Sequence, residues 1–138
     1  MPVTVWVVAI LSLSLPAEYR IADSTSERLA LPGPPGLYAT QEFRAWNAPG
    51  KSLYLFYWVP RAPRDLGPMT AVGEWPAHVA GHETRIIETS MFMGRQQRVL
   101  VAHLQFGPPE SSAMIYARGL DRREFASILA GIKRRDAP

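Results

Sequence analysis

Apolar runs separated by proline and glycine clusters divide the chain into a series of predicted strands. Residues 37–46 alternate between two faces, with Phe43 on one and Arg44 on the other. Residues 53–59 form a continuous apolar run rich in aromatic and β-branched side chains, which predicts a central strand covered on both faces. The turn-forming segment 47–50 between them is short enough for an antiparallel hairpin.

The second half of the chain repeats this pattern. Residues 84–93 and 97–106 predict a hairpin around a turn at Gly94, and residues 112–118 predict another short strand. We expect these strands to join those of the first half in one antiparallel sheet.

Two segments between the strands are predicted to be irregular. Residues 22–27 are polar, which predicts a loop or a short helical turn. The segment 60–76 carries four prolines, with room for a short helix between Pro68 and Gly73. Long irregular segments often carry function, so residues 60–76 are a candidate binding loop.

One helix is predicted, over residues 121–134. Asp121 and Glu124 have the spacing of a capping box, in which each residue satisfies a backbone donor at the helix start. Apolar residues then follow at helical spacing and form one stripe, Phe125, Ile128, Leu129 and Ile132. Together these elements predict an α+β fold, in which an antiparallel sheet of about five strands carries the C-terminal amphipathic helix on one face.

The first 17 residues carry no charge, and Glu18 is the first charged side chain. Residues 3–15 are almost wholly apolar, and a run of about 13 residues is too short to span a bilayer but matches the apolar region of a signal peptide. A signal or membrane-targeting segment at 1–17, cleaved near Ala17, would leave 18–138 as a single domain that is exported to the periplasm or cell envelope. The same segment could associate the chain with a membrane.

A buried β-strand is the alternative for this segment, because Val3, Val5 and Val7 are β-branched. A retained strand would favour a cytoplasmic location. It would also allow an oligomeric domain, in which the N-terminal strands of two chains pair.

Composition narrows the classes of function. The 138 residues include no cysteine, which excludes disulfides, thiolate metal sites and cysteine nucleophiles within them. The net charge of +3 comes from dispersed arginines interspersed with acidic residues. A nucleic-acid-binding protein would present a continuous basic face, so no nucleic-acid partner is predicted.

The order of elements is similar to that of PsbP-like proteins, including the DcrB-type envelope proteins. The likeness rests on Leu29-Ala30-Leu31-Pro32 at the entry, the hairpin at Gly94, and the helical sequence of residues 124–132. The resemblance implies an α+β sandwich behind a signal segment. It carries no site residue of the family over to this chain.

Candidate catalytic chemistry is sparse. His78, His82 and Glu83 are close in sequence, but histidines four apart on a strand would lie about 13 Å apart, too far for one ion. His103 shares a predicted face with Glu88 and Ser90, so a small hydrolase or metal-dependent enzyme using His78, His82 or His103 is one alternative function. We predict no catalytic residue, no metal ligand and no cofactor.

The aromatic residues point instead to binding. Tyr54, Phe56 and Trp58 alternate on the strand at 53–59, and they share one face. A retained N-terminal segment could cover that face; otherwise the face would be an exposed apolar surface. The leading prediction is a non-enzymatic, exported envelope domain that binds a partner protein or a small apolar ligand. The predicted binding residues are Tyr54, Phe56, Trp58, Arg61, Arg64 and Trp75.

Overall fold

Ten strands and a short helix make up the described part of the chain in a computed structural model, which describes residues 3–30, 38–59, 70–92, 96–106 and 111–135. The elements in chain order are β1 (Val3–Val8), β2 (Leu11–Pro16), β3 (Arg20–Ala30), β4 (Tyr38–Ala48), β5 (Lys51–Val59), β6 (Thr70–Val79), β7 (His82–Phe92), β8 (Gln96–Phe106), β9 (Ser111–Arg118), α1 (Arg122–Ala130) and β10 (Lys133–Arg134).

The strands form two sheets. The larger has seven antiparallel strands in the order β3-β4-β5-β9-β8-β7-β6, and the smaller has three in the order β1-β2-β10. The predicted antiparallel sheet is therefore confirmed. Both predicted hairpins are also confirmed, because β4 pairs with β5 and β7 pairs with β8. The turn predicted at Gly94 lies outside the described residues.

The predicted α+β class with about five strands is wrong, because the described chain is mostly β-structure with a helix of only nine residues. One reason is β3, where the polar residues 22–27 were predicted to be a loop. This strand is at the edge of the sheet, and the side chains of residues 20–28 are exposed, so they carry no apolar alternation that would reveal the strand. Another is β6, whose Pro76 is tolerated because an edge strand needs no partner on its outer side.

The N-terminal segment folds as a hairpin of β1 and β2, which turns at Ala9 with a positive φ of 53°. Leu11, Leu13 and Leu15 on β2 have no exposed surface, and they join the core formed by the larger sheet and α1. The structure thus folds residues 3–16 as two strands, and β2 supplies buried side chains to the core. Cleavage near Ala17 and the cellular compartment stay predictions.

One face of the larger sheet carries this second layer. We call it the covered face, and its buried side chains include Leu53, Leu55 and Tyr57 on β5. The N-terminal hairpin packs there together with α1, so it does not cover Tyr54 and Phe56 as the sequence had suggested. We call the opposite side of the sheet the open face.

The start of α1 is held by the predicted capping box. The Asp121 carboxylate accepts from the backbone N–H of Glu124 at 2.8 Å, and the Glu124 carboxylate accepts from the backbone N–H of Asp121. The ammonium of Lys51 donates to Glu124 at 2.6 Å and links β5 to the helix. Gly119, with a φ of 78°, makes the preceding turn, where a Cβ atom would collide with the carbonyl oxygen of Gly50.

None of the helical structure in the described ranges has the length and apolar character needed to cross a bilayer.

Candidate functional site

The open face is built around alternate residues of β5. Leu53, Leu55 and Tyr57 point into the covered core, so Tyr54 and Phe56 point to the other side of the sheet. Both of these rings are only partly buried. The strand therefore presents two leucines and a tyrosine to the core, and two aromatic rings to the open face.

Neighbouring strands add two more rings to this face. Residues directly opposite each other in adjacent antiparallel strands lie on the same face of the sheet. The register places Phe43 of β4 opposite Phe56, and Tyr116 of β9 opposite Tyr54. We call these four residues, from three adjacent strands, the four-ring patch.

The four rings contact one another in a closed circuit. The centroids of Phe43 and Phe56 are 4.5 Å apart, and those of Tyr54 and Tyr116 are 4.6 Å apart with the rings nearly parallel at 13°. The diagonal pairs are 6.3 Å and 6.1 Å apart. Each ring therefore contacts two others, and this mutual packing holds the patch in one conformation.

An arginine lies at one end of the patch. Arg118 on β9 donates from Nη2 to the hydroxyl of Tyr54 at 2.5 Å, and its guanidinium carbon is 5.6 Å from the centroid of the same ring. Both contacts order the Tyr54 side chain. The guanidinium also brings a positive charge to the edge of an otherwise uncharged surface.

A buried apolar cluster adjoins the patch on the same face. Met114, Val99 and Val101 pack with Trp58 of β5, which is 8% exposed, while Phe56 and Tyr116 pack against them. The predicted binding residue Trp58 thus supports the patch from the side more than it offers surface of its own.

His103 lies beside this cluster, with its ring 6.1 Å from that of Trp58. The residue keeps one side exposed, but burial of the imidazole lowers the pKa of His103 below the ordinary value of about 6.5. The neutral ring is therefore favoured, so His103 adds no charge beside this cluster.

A shallow hollow borders the patch on the side of β3 and β4. Its volume is about 210 Å³, and Thr25, Glu27 and Gln41 surround a floor of Phe43 and Phe56. Pockets for small molecules usually enclose about 300–1,000 Å³. The hollow falls below that range, so the four-ring patch is closer to a flat contact surface with a polar rim than to a ligand pocket.

Trp75 lies on the covered face, apart from Tyr54, Phe56 and Trp58. Its partner across β6 and β7 is the fully buried Ile86, and the guanidinium carbon of Arg122 is 4.0 Å from the centroid of the indole ring. The ring lines a cleft of about 790 Å³ whose charged groups have both signs, Glu88, Arg98, Asp121, Arg122 and Arg123. Arg61 and Arg64, the remaining predicted binding residues, lie outside the described residues.

The histidines considered for catalysis are not brought together. His78 on β6 lies opposite Glu83 on β7, and its Nε2 is 3.9 Å from that carboxylate. His82 on β7 lies opposite Val79 on β6. The two histidines thus lie on opposite faces. Within the residues that the structure describes, no three groups are clustered to hold a metal ion.

The predicted pairing of His103 with Glu88 or Ser90 is wrong. Glu88 lies opposite Leu100, and His103 is three positions along the same strand from Leu100, so the two face opposite sides of the sheet. Ser90 lies on the side of Glu88 for the same reason.

Sequence reasoning missed Phe43 and Tyr116 as site residues. Each lies in a strand that was predicted, and the alternation of each strand was visible. Their position beside Phe56 and Tyr54 depends on which strands are neighbours in the sheet. Strand β9 pairs with β5, although three strands separate the two along the chain. The signal in the sequence that could have indicated these two residues was the presence of aromatic side chains at alternate positions of the predicted strands.

Comparison with models of protein families, with curated proteins and with solved structures finds no match for this chain. The similarity to PsbP-like proteins stays a prediction.

Proposed function

We propose that this protein is a binding domain without catalytic activity, and that the four-ring patch is its contact surface for a partner protein. The observation that carries the proposal is the closed circuit of Phe43, Tyr54, Phe56 and Tyr116 on the open face. These rings are partly exposed and already ordered by one another, so little side-chain entropy is lost when a partner docks.

The composition of the surface favours a protein partner over a small apolar ligand. The patch and its edge consist of phenylalanine, tyrosine and arginine, which are residue types enriched at protein interfaces, and tyrosine and arginine are frequent hot spots. The hollow beside Phe43 is too small to enclose a drug-sized molecule. A flat surface with an aromatic centre and a polar rim suits the convex or flat surface of another protein.

Arg118 and Glu27 supply opposite charges at two sides of the patch. Such charges fix the orientation of a partner more than they add affinity. We therefore expect the partner to present an apolar centre between an acidic and a basic group.

We also propose that the chain binds this partner in the cell envelope. The uncharged run at residues 3–15 resembles an export signal, and it supports the cell envelope. Because Leu11, Leu13 and Leu15 belong to the folded core, we propose that the chain binds its partner with this segment in place.

Photo-cross-linking in the native host tests the contact surface. A photoreactive phenylalanine analogue at position 54 should cross-link the partner, whereas the same analogue at position 75, on the covered face, should not. The captured protein is then purified, and its affinity is measured by titration calorimetry for the wild type, Tyr54→Ala and Tyr116→Ala. We expect the Kd to rise at least about tenfold in each variant, which corresponds to 1.4 kcal/mol.

Trp75→Ala is the matched control, because it removes an aromatic side chain from the other face. Its affinity for the captured protein should stay within about twofold of the wild type. Equal weakening by Trp75→Ala and Tyr54→Ala, or cross-linking at 75 but not at 54, would contradict the proposed surface. A small molecule that co-purifies in native mass spectrometry and is lost in Phe56→Ala would replace the protein partner with an apolar ligand.

A further inference from the structure

Three of the four sheet edges in the described chain carry features that discourage pairing with another strand. The edge strand β3 has a register shift after Ile21 and carries charges of both signs, Arg20, Asp23, Glu27 and Arg28. The edge strand β6 has a register shift after Ala71 and contains Pro76. Charges, bulges and prolines are the usual protection of exposed edges.

The third protected edge is β10, which has only two residues, and both are cationic. An incoming strand would find little backbone to pair with and two charges to desolvate.

The fourth edge, β1, has none of these protections. Its sequence from Val3 to Val8 contains no charge, no proline and no register shift. Val3, Val5 and Val7 are 58%, 60% and 51% exposed. An exposed, uncharged edge strand of β-branched residues is a template for strand pairing.

The backbone of the same three valines also points away from β2. In an antiparallel hairpin with a two-residue turn, the closing pair is hydrogen-bonded, here Val8 with Leu11, and hydrogen-bonded pairs alternate along the ladder. Val3, Val5 and Val7 therefore occupy the positions whose N–H and C=O groups face the free edge. The non-bonded position opposite Val3 is Pro16, which has no N–H to offer and fits this assignment.

The base of β1 is firmly attached to the domain. Val8 is 1% exposed in the main core, and the Trp6 ring meets that of Trp46 at 5.9 Å. The free edge is thus presented by an ordered strand, so a pairing partner need not order it first.

We infer that β1 pairs antiparallel with β1 of a second copy of this chain, so that the two small sheets become one sheet of six strands. With Val5 on the two-fold axis, Val3 of one copy lies opposite Val7 of the other. Every outward pair across the junction is then valine against valine, and the exposed stripes of both copies merge into one apolar surface.

A second copy suits this edge better than an unrelated strand for two reasons. All three outward positions hold the same residue, so the strand is complementary to itself under a two-fold rotation, as an isologous interface requires. The strand also has no charge that symmetry would place against its own equivalent. The junction lies on the smaller sheet, so it leaves the four-ring patch free for the proposed function.

Analytical ultracentrifugation of the full chain tests this pairing. We expect the wild type to sediment with twice the 15.4 kDa mass of one chain. Val5→Lys should sediment as a monomer at the same concentration, because two ammonium groups would meet at the axis. Val72→Lys is the matched control, since Val72 is 56% exposed on the protected edge β6, and it should remain a dimer.

A second variant guards against misfolding of Val5→Lys. Val5→Pro removes only an outward N–H, so it should keep the hairpin and the circular dichroism spectrum while abolishing the dimer. The chain has no cysteine, so Val5→Cys and Val72→Cys each carry a single thiol, and a short bis-maleimide should link only the former. The inference is overturned by a monomeric wild type, by a dimer that survives both Val5→Lys and Val5→Pro, or by a dimer that Val72→Lys also dissociates.

Discussion

Leu55 and Phe56 are neighbours on β5, yet they lie on faces of opposite character. Leu55 has no exposed surface and packs with the leucines of β2 and the apolar stripe of α1. Phe56 is partly exposed and contacts the rings of Phe43 and Tyr116 in the sheet. The covered face is mainly aliphatic and closed by a second layer, whereas the open face is aromatic and closed by its own rings.

Under the proposed function, one strand divides stability and binding between alternate positions. A fully buried leucine contributes about 1.5–3 kcal/mol relative to an exposed one. A ring that remains partly exposed contributes less to folding, but it keeps surface that a partner can cover. We therefore expect substitutions on the covered face to change the free energy of unfolding most, and substitutions on the open face to change affinity most.

Among changes to the covered face, removal of residues 1–17 should lower the free energy of unfolding most. It deletes β1 and β2 and, with them, the fully buried Leu11, Leu13 and Leu15. The loss should approach the whole stability of a domain, which is about 5–15 kcal/mol, so the chain 18–138 should not unfold cooperatively in urea. A matched variant with serine at positions 3, 5 and 7 changes only outward side chains and should keep a cooperative transition. Equal midpoints for chain 18–138 and the full chain would show that the hairpin is dispensable.

A pair of phenylalanine substitutions compares the two faces directly. Phe125 on α1 is fully buried in the covered core, so Phe125→Ala should lower the free energy of unfolding by about 3–5 kcal/mol. Phe56→Ala removes the same atoms from the open face and should cost less, about 1–2 kcal/mol. Urea denaturation of both variants measures the difference. Equal losses would mean that the open face is as much a part of the core as the covered face.

Loss of the helix cap in the second layer should lower the free energy of unfolding by less than the removal of a buried phenylalanine. Asp121→Ala removes the carboxylate that accepts from the Glu124 backbone, so we expect a loss of about 1 kcal/mol. Asp121→Asn keeps an acceptor and should retain most of that stability. Thermal unfolding distinguishes the two variants, and an equal melting temperature for alanine and asparagine would contradict a capping role.

The smallest expected effect is the pH dependence of the free energy of unfolding that His103 causes on the open face. Because burial lowers the pKa of His103, the folded chain binds a proton more weakly there than the unfolded chain does. The contribution of neutral His103 to the free energy of unfolding is therefore fully present above a pH of about 6.5. It declines as the pH falls towards the pKa of His103 in the folded chain, and it is constant at lower pH. His103→Gln should flatten this part of the profile in urea denaturation at a series of pH values. A wild-type stability that rises as the pH falls through this window would contradict the sign.

Much of the local structure follows from the sequence because it depends on short spacings. The alternation of Leu55 and Phe56, the capping box of Asp121 and Glu124, and the two predicted hairpins involve residues close along the chain. Strand β3 was missed because an edge strand with both sides exposed has no apolar period to detect.

The candidate site was predictable only in part. The aromatic positions of β5 were identified from one strand, but Phe43 and Tyr116 join them through the register with β4 and β9. Trp75 was grouped with Trp58, although the pairing of β6 at the far edge of the sheet places it on the covered face. Pairings between distant strands are decided by the packing of the whole sheet rather than by local propensity.

By itself the sequence determined that this chain has antiparallel hairpins, a capped C-terminal helix and an uncharged N-terminal run, because each of these is a local pattern of apolar, polar and turn-forming residues. Only the tertiary structure decided that the run folds into a hairpin and that this hairpin covers the face of Leu55 rather than that of Phe56. Both faces of β5 are apolar, so either could have been buried. The choice depends on where β2 and α1 can pack together against the assembled sheet, which no short segment of the chain specifies.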